Sequence, residues 1–295
     1  MFIIKYKKIF LLSGLVLVLL ASLFIGVKGL TPSIEFTGGS LTQVAYPEGR
    51  PELPIIETRT EDAGFESFVI QPVNENEVMV RTKDLVEEER VALLEALNID
   101  GTMEEVSFTS VGPSIGKELQ TKATVAIIVV SIVMILFIAY TFREVAKPVS
   151  SWKYGFVAIV TLVHDVALAT GMFVLLGGEM DALFVVALLT ILGLSINDTI
   201  VIFDRIRENI RINMANNNQT PFGQVVGKSL EQSYTRSINT SVATIIVLLA
   251  LVFFGPESTK MFALTLTFGM FFGTYSSIFL ASPLLVQIYE WQKNK

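Results

Sequence analysis

Six apolar stretches, at residues 9–27, 123–142, 154–176, 182–203, 237–254 and 261–288, decide what this chain can become. Crossing a hydrocarbon core of about 30 Å takes roughly 20 helical residues, and each stretch is long enough. With 52% apolar and 17% charged residues, the 295-residue chain lacks the charge that a soluble domain of its size would place on its surface. Its mean hydropathy is +0.59. The pattern predicts a polytopic α-helical membrane protein with six transmembrane helices, tails at 1–8 and 289–295, and one polar insert at 28–122. The first stretch is longer than a signal-peptide core and no A-x-A site follows it, so it is expected to remain as an anchor.

Lysine and arginine set the expected orientation. Cations gather in the N-terminal tail (Lys5, Lys7, Lys8), the second loop (Arg143, Lys147, Lys153), the fourth loop (Arg205, Arg207, Arg211, Lys228, Arg236) and the C-terminal tail (Lys293, Lys295). The alternate loops are nearly empty of them: "GGEMD" has none and "GPESTK" only Lys260. Both termini are therefore expected in the cytoplasm and the insert outside. The net charge of −6 conceals a split, with about −10 in the insert and +4 elsewhere, so it gives no argument for a nucleic-acid partner. The chain has no cysteine and so no disulfides.

Within the insert, strand patterns lie at 41–46, 67–71, 77–82 and 105–111, and "LVEEERVALLEAL" (85–97) reads as a helix. Asp84 and Glu87 have the spacing of a capping box, and three early glutamates suit the positive helix end. The stretch 47–66 holds three prolines and shows no helical period; residues 47–60 are expected to be mobile and on the surface. A small α+β layer follows from these elements. "GPSIGKEL" (112–119) is not a phosphate loop, because Gly112 and Gly116 are one residue too close and Glu118 replaces Ser or Thr. Gly112, Pro113 and Gly116 read instead as a joint starting the second span.

The membrane stretches carry polar residues that need a reason. His164 and Asp165 sit near the middle of the third, Asn197, Asp198 and Thr199 near the end of the fourth, and Arg236, Ser237, Asn239, Thr240 and Ser241 at the corresponding depth of the fifth. An aspartate at the centre of a membrane helix costs about 2.5–3.5 kcal/mol on insertion scales, so such groups face partners or water. Asp165, Asp198 and Arg236 are expected to form one buried constellation. Plainer readings stand beside it: Asp198 as interhelical glue, Arg236 snorkelling to headgroups, His164 as a packing residue. Asp204, Arg205, Arg207 and Glu208 read as a solvated helix end with i, i+3 and i, i+4 pairs. The sequons at Asn197, Asn218 and Asn239 fall in membrane or cytoplasm and are not read as glycosylation sites. Gly269 and Gly273 form a G-x-x-x-G, suited to close packing within the chain or against a partner. No metal-ligand or cofactor motif stands out, and no enzyme activity is expected.

Six segments resemble the SecF family of protein-export subunits: "FTGG" (36–39), "VGPSIGKEL" (111–119), "VHDV" (163–166), "SINDTIVIFDRIREN" (195–209), "SLEQSYTRSINTS" (229–241) and "GTYSSIFLASPLL" (273–285). They run from the first polar residues, with Gly38 and Gly39, to the last span. The resemblance implies six spans of the resistance-nodulation-division (RND) type and a ferredoxin-like outward domain in a bacterial cytoplasmic membrane. It also implies a SecD partner and work beside the SecYEG channel, with YajC, after the SecA ATPase has acted on the preprotein. Asp198 and Arg236 match the motif positions implicated in proton passage in that family, and His164 and Asp165 are candidates to join them. A carboxylate held between an apolar surround and a guanidinium can take up and release a proton. The stretch 47–66 departs from the family where a first helix belongs. Two competing functions are an RND-type exporter of lipids or drugs, and a non-transporting scaffold for a channel.

The orientation can be checked directly. Cysteines introduced at Glu75 and Asn217 should behave differently towards an impermeant thiol reagent on intact cells, with Glu75→Cys labelled and Asn217→Cys protected. The reverse pattern would invert the topology.

Overall fold

Backbone N–H and C=O groups in an apolar run have no water to bind, so a helix that satisfies them internally is the available solution. The computed structural model describes residues 2–141, 149–216 and 220–293. Arg143, Lys147, Asn217, Asn218 and Lys295, used above for orientation, the labelling test and the sequons, lie outside them. The chain divides into two compact units: Pro32–Val125, and Met1–Thr31 with Ala126–Lys295.

A short α1 (Phe2–Lys5) precedes α2 (Lys7–Lys28). In the insert follow α3 (Ile34–Thr37), β1 (Gly39–Ala45), α4 (Leu53–Asp62), β2 (Phe68–Pro72), β3 (Glu77–Thr82), α5 (Glu87–Leu97) and β4 (Glu104–Val111). Then come α6 (Pro113–Thr141), α7 (Ser151–Leu175), α8 (Ala182–Ala215), α9 (Phe222–Phe254) and α10 (Glu257–Ser276). A π-helical turn, Ser277–Ala281, joins α10 to α11 (Ser282–Lys293). Among the described residues, six helices are long and apolar enough to cross a membrane: α2, α6, α7, α8, α9 and the α10–α11 helix. α8 and α9 extend well beyond their apolar runs. The polar end of α8 is laced by Arg205–Glu208 (2.5 Å) and Arg207–Asp204 (3.1 Å) pairs at i, i+3, as expected of a solvated helix end.

The strand order β2-β3-β1-β4 is antiparallel throughout, and with the sequence β1-α4-β2-β3-α5-β4 it gives the ferredoxin-like arrangement. Alternation puts Val44, Val78 and Val80 on one face, where they pack with Tyr46, Ile56, Leu93 and Leu97. The Tyr46 hydroxyl donates to the Leu97 carbonyl at 2.9 Å, and burial, with Asp100 nearby, pushes its pKa up to about 12.

Two expectations for this unit are corrected. Residues 53–62 form a helix, α4, and Ile56 is fully buried. Pro54 occupies the first turn, where a missing N–H costs nothing, so the proline marks a helix start rather than a loop. Its buried face is only Ile56 and Thr60, one turn apart, too short a stripe to register as a period. Secondly, Asp84 does not cap α5. It accepts a 2.6 Å bond from Ser110 Oγ, and α5 starts at Glu87, with the Glu89 carboxylate accepting from Val86 N–H at 3.2 Å.

The glycines flanking the insert permit one close crossing. A Cβ on Gly116 would lie 2.8 Å from Gly38 N and 3.1 Å from Phe36 O, and Gly38 itself sits at φ +76°. The start of α6 therefore presses directly on the backbone that enters β1, which is the joint that Gly112, Pro113 and Gly116 suggested.

In the other unit, α7 and the α10–α11 helix bury 67% and 72% of their apolar windows, and α8 buries 44%. α2, α6 and α9 bury 11%, 6% and 11% and keep broad apolar surfaces outward. The interior holds Tyr154, Val157, Phe203, Ile206, Ile278 and Leu285, with the Tyr154 and Phe203 rings edge-on at 5.2 Å. Pro283 accounts for the π-turn: it supplies no N–H for the preceding turn and its ring crowds the carbonyl four residues back, so the ladder widens just before it.

Because Ile56 anchors α4, amide exchange at Ile56 and Thr60 should be as slow as across Val78–Arg81. Ile56→Ala should accelerate it, since truncating a buried isoleucine costs about 2–5 kcal/mol. Fast exchange across 53–62 in the unmutated chain would contradict the helix.

Candidate functional site

A polar seam runs through the apolar bundle where α8 meets the α10–α11 helix. Ser195, Asp198, Thr199 and Ile202 follow the i, i+3, i+4, i+7 spacing that puts residues on one helix face, and all four are buried. Close approach to the last helix depends on glycine. A Cβ on Gly269 would fall 2.3 Å from Ile191 Cγ1, and one on Gly273 would fall 3.1 Å from Ser195 Cβ. The G-x-x-x-G thus packs within the chain, and it brings hydroxyls within reach of carboxylates.

Asp165, on α7, is fully buried and fully engaged. Its Oδ2 accepts from Ser195 Oγ at 2.5 Å and from Ser276 Oγ at 2.8 Å, while Oδ1 lies 2.8 Å from His164 Nδ1. Asp198 is 4% exposed and held more loosely. Ser241 Oγ lies 3.4 Å from its Oδ2, and Thr274 also faces it. Thr274 Oγ1 is 2.5 Å from Ser241 Oγ, which in turn is 2.8 Å from the Ser237 carbonyl. Each hydroxyl has one proton to give, so Ser241 can serve either its own helix or Asp198. The seam continues at Thr199 Oγ1, 2.8 Å from Ser277 Oγ in the π-turn. Successive serines at that turn thus reach different helices: Ser276 to Asp165 on α7, Ser277 to Thr199 on α8.

The predicted constellation is only partly assembled. Asp165 and Asp198 both lie in the seam. Arg236 is exposed and forms no ion pair with either aspartate, which corrects the expectation of a buried partnership. The reason lies in the spacing of α9. Ser229, Ser233, Ser237 and Ser241 recur every fourth residue and form its buried stripe, and Arg236, one position before Ser237, is turned about 100° away. It lines an open groove of about 690 Å³ with Asp204, Arg205, Glu208, Arg211 and Gln232 at the polar ends of α8 and α9. Asn197 and Asn239 are exposed on the helix flanks, and the Ser237 Oγ is buried with no hydrogen-bond partner among the described residues. Ser195, Thr274, Ser276 and Ser277 carry most of the site's hydrogen bonds. The signal for Thr274, Ser276 and Ser277 was the hydroxyl run "GTYSS" inside an apolar stretch, which reads equally as small packing residues.

Residues 93–291 match the family described as "Protein export membrane protein SecD/SecF, C-terminal". The chain belongs to the SecD/SecF family. It is 37% identical to the protein translocase subunit SecF of Thermobaculum terrenum, covering 99% of this chain and 94% of that one. It is 33% identical to SecF of Anaerolinea thermophila over 98% of this chain and 95% of the relative. The crystal structure of SecDF from Thermus thermophilus, described as a translocon-associated membrane protein, superposes with a TM-score of 0.84 at 33% identity. That match takes in 99% of this chain and 38% of the SecDF chain, so the SecF-type part occupies well under half of the longer protein. Six apolar helices and an antiparallel insert in a SecD/SecF family member make this a multi-pass membrane protein.

Proposed function

We propose that the chain is the SecF-type subunit of a bacterial protein-export machinery, and that it couples proton passage to late steps of preprotein movement. The family supports the export role. The observation that carries the proton reading is Asp198: a carboxylate 4% exposed inside an apolar bundle, whose Ser241 partner lies at 3.4 Å and has a competing acceptor. Such a group can exchange its proton without dismantling the helix packing, because the hydroxyl beside it has another acceptor to turn to. Each charge moved through the membrane potential releases about 2.3 kcal/mol per 100 mV, which is the energy available to bias two helix packings.

In this reading SecD is the direct partner, as the fused SecDF relative suggests, and the outward apolar surfaces of α2, α6 and α9 supply area for its spans and for lipid. SecYEG, YajC and SecA act in the same pathway, with the chain in the bacterial cytoplasmic membrane, both termini cytoplasmic and residues 28–122 outside. Arg236 serves at the mouth of the groove on α8 and α9, one helical turn beyond Asp198 by way of Val201, and not as the salt-bridge partner of Asp198. Asp165 and His164 form a second protonatable pair. A lipid or drug exporter is the less favoured reading, since the relatives over the full chain are translocase subunits.

Asp198→Asn keeps shape and hydrogen bonding but does not titrate, so it should leave assembly with SecD intact and abolish the gradient-stimulated part of export. Arg236→Lys should impair export less than Arg236→Met, because lysine keeps the charge while losing the planar fork. The measurement is export rate per assembled complex in membrane vesicles, with and without a collapsed proton gradient. Normal gradient stimulation in Asp198→Asn would remove this residue from the proton path. Loss of assembly with unchanged export per complex would make it structural glue.

A further inference from the structure

The groove between the polar ends of α8 and α9 holds about 690 Å³ and carries charges that the proton reading leaves unused. Arg205, Arg207, Arg211 and Arg236 line it, against Asp204 and Glu208. Two of these arginines are engaged. Arg205 pairs with Glu208 at 2.5 Å, and Arg207 donates to Asp204 and to the Thr141 carbonyl, each at 3.1 Å. The Arg211 and Arg236 guanidiniums have neither an ion pair nor a hydrogen bond among the described residues. Four arginines less two carboxylates leave the lining with a charge of +2.

Helix spacing makes one trough of these side chains. Asp204, Glu208 and Arg211 follow at i, i+4 and i+7 along α8, and Gln232 and Arg236 at i and i+4 along α9. Asn209 ties the two helices together there, donating to Ser229 Oγ and Gln232 Oε1 at 2.8 Å each. With its carbonyl so engaged, the Gln232 amide has N–H groups to offer a guest. The depth is equally defined. The apolar run of α8 ends at Phe203 and that of α9 begins at Ser237, so Val201 and Arg236 stand where hydrocarbon gives way to headgroups. The bond from Arg207 to Thr141, in the last turn of α6, marks the same level.

We propose that this groove binds an anionic phospholipid, with Arg211 and Arg236 holding the phosphate of its headgroup and Gln232 adding a neutral donor. A guanidinium meets phosphate oxygens with two parallel N–H groups, which suits it to a phosphate diester. A free phosphate or an acidic protein segment carries the same charge. The position of the groove at the edge of the hydrocarbon favours the lipid, whose headgroup is held at that depth. The site rests on the groove and its charges and is independent of the proton reading.

Native mass spectrometry of the full chain, exposed in detergent to equal amounts of phosphatidylglycerol and phosphatidylcholine, counts the lipid it keeps. Phosphatidylglycerol should be retained in preference. Arg211→Gln should weaken that retention about fivefold or more, and Arg211→Gln combined with Arg236→Gln should abolish the preference. Both arginines are exposed, so their replacement disturbs no buried packing. Lys228→Gln removes the same charge from an exposed position of α9 outside the groove and should change retention less than about twofold. Equal loss in Arg211→Gln and Lys228→Gln would reduce the effect to general attraction by a basic surface and overturn the site. Equal retention of the two lipids by the unmutated chain would overturn it as well. Two further arms separate the sources of the charge. Inorganic phosphate in excess should leave the lipid bound; its displacement, with phosphate kept in its place, would make this a free-anion site. Assembly with SecD should also leave the lipid bound; its release would give the groove to an acidic segment of that partner. Either result overturns the lipid assignment.

Discussion

A carboxylate enclosed by hydrocarbon must find hydrogen-bond donors, and the packing of this bundle follows from that requirement. Two aspartates are buried where three helices meet, and among the described residues neither has a guanidinium or ammonium beside it. Hydroxyls do the work instead: Ser195 and Ser276 on Asp165, Ser241 and Thr274 on Asp198. Hydroxyls are short, so the helices that carry them must nearly touch. Gly269 and Gly273 bring α10 against α8, and Gly171 brings α7 within 2.7 Å of Ala21 on α2, measured from a notional Cβ. Small residues, a π-turn and two acids are thus parts of one arrangement.

The two acids differ in how firmly they are held. Asp165 has hydrogen-bond partners on both oxygens and its place is fixed by α7, α8 and the last helix together. Asp198 depends on a Ser241 hydroxyl that also has the Ser237 carbonyl within reach. The two hydroxyls that face Asp198, Ser241 and Thr274, are themselves joined at 2.5 Å, so a rotation of one is felt by the other. Asp198 is thus the more loosely held of the two carboxylates and Asp165 the more firmly.

Much of this was legible in the sequence, for identifiable reasons. Membrane stretches and the strands near 77–82 and 105–111 announce themselves because burial imposes long apolar runs or strict alternation. Asp165 and Asp198 stood out as charges where charges are expensive. The failures are equally physical. Pro54 signals a loop in isolation but occupies the one turn of α4 that tolerates it. Asp84 has the right offset from Glu87, yet Ser110, distant in sequence, takes its carboxylate. Arg236 sits at the right depth but on the wrong side of α9, and only the four-residue repeat of serines reveals which side that is. Ser195, Thr274, Ser276 and Ser277 are polar groups that membrane helices also use for plain packing, so nothing in their spacing separates the two roles.

In the proposed mechanism Asp198 takes up and releases a proton inside the bundle. Infrared difference spectroscopy of the assembled complex in lipid, recorded as the bathing pH is lowered, reads this from the carboxyl C=O stretch. A protonated-carboxyl band should grow on acidification and be missing from Asp198→Asn, with the amide bands of the helices preserved. Identical difference spectra for the two proteins would contradict it, because Asp198 would then hold one protonation state throughout and could carry nothing.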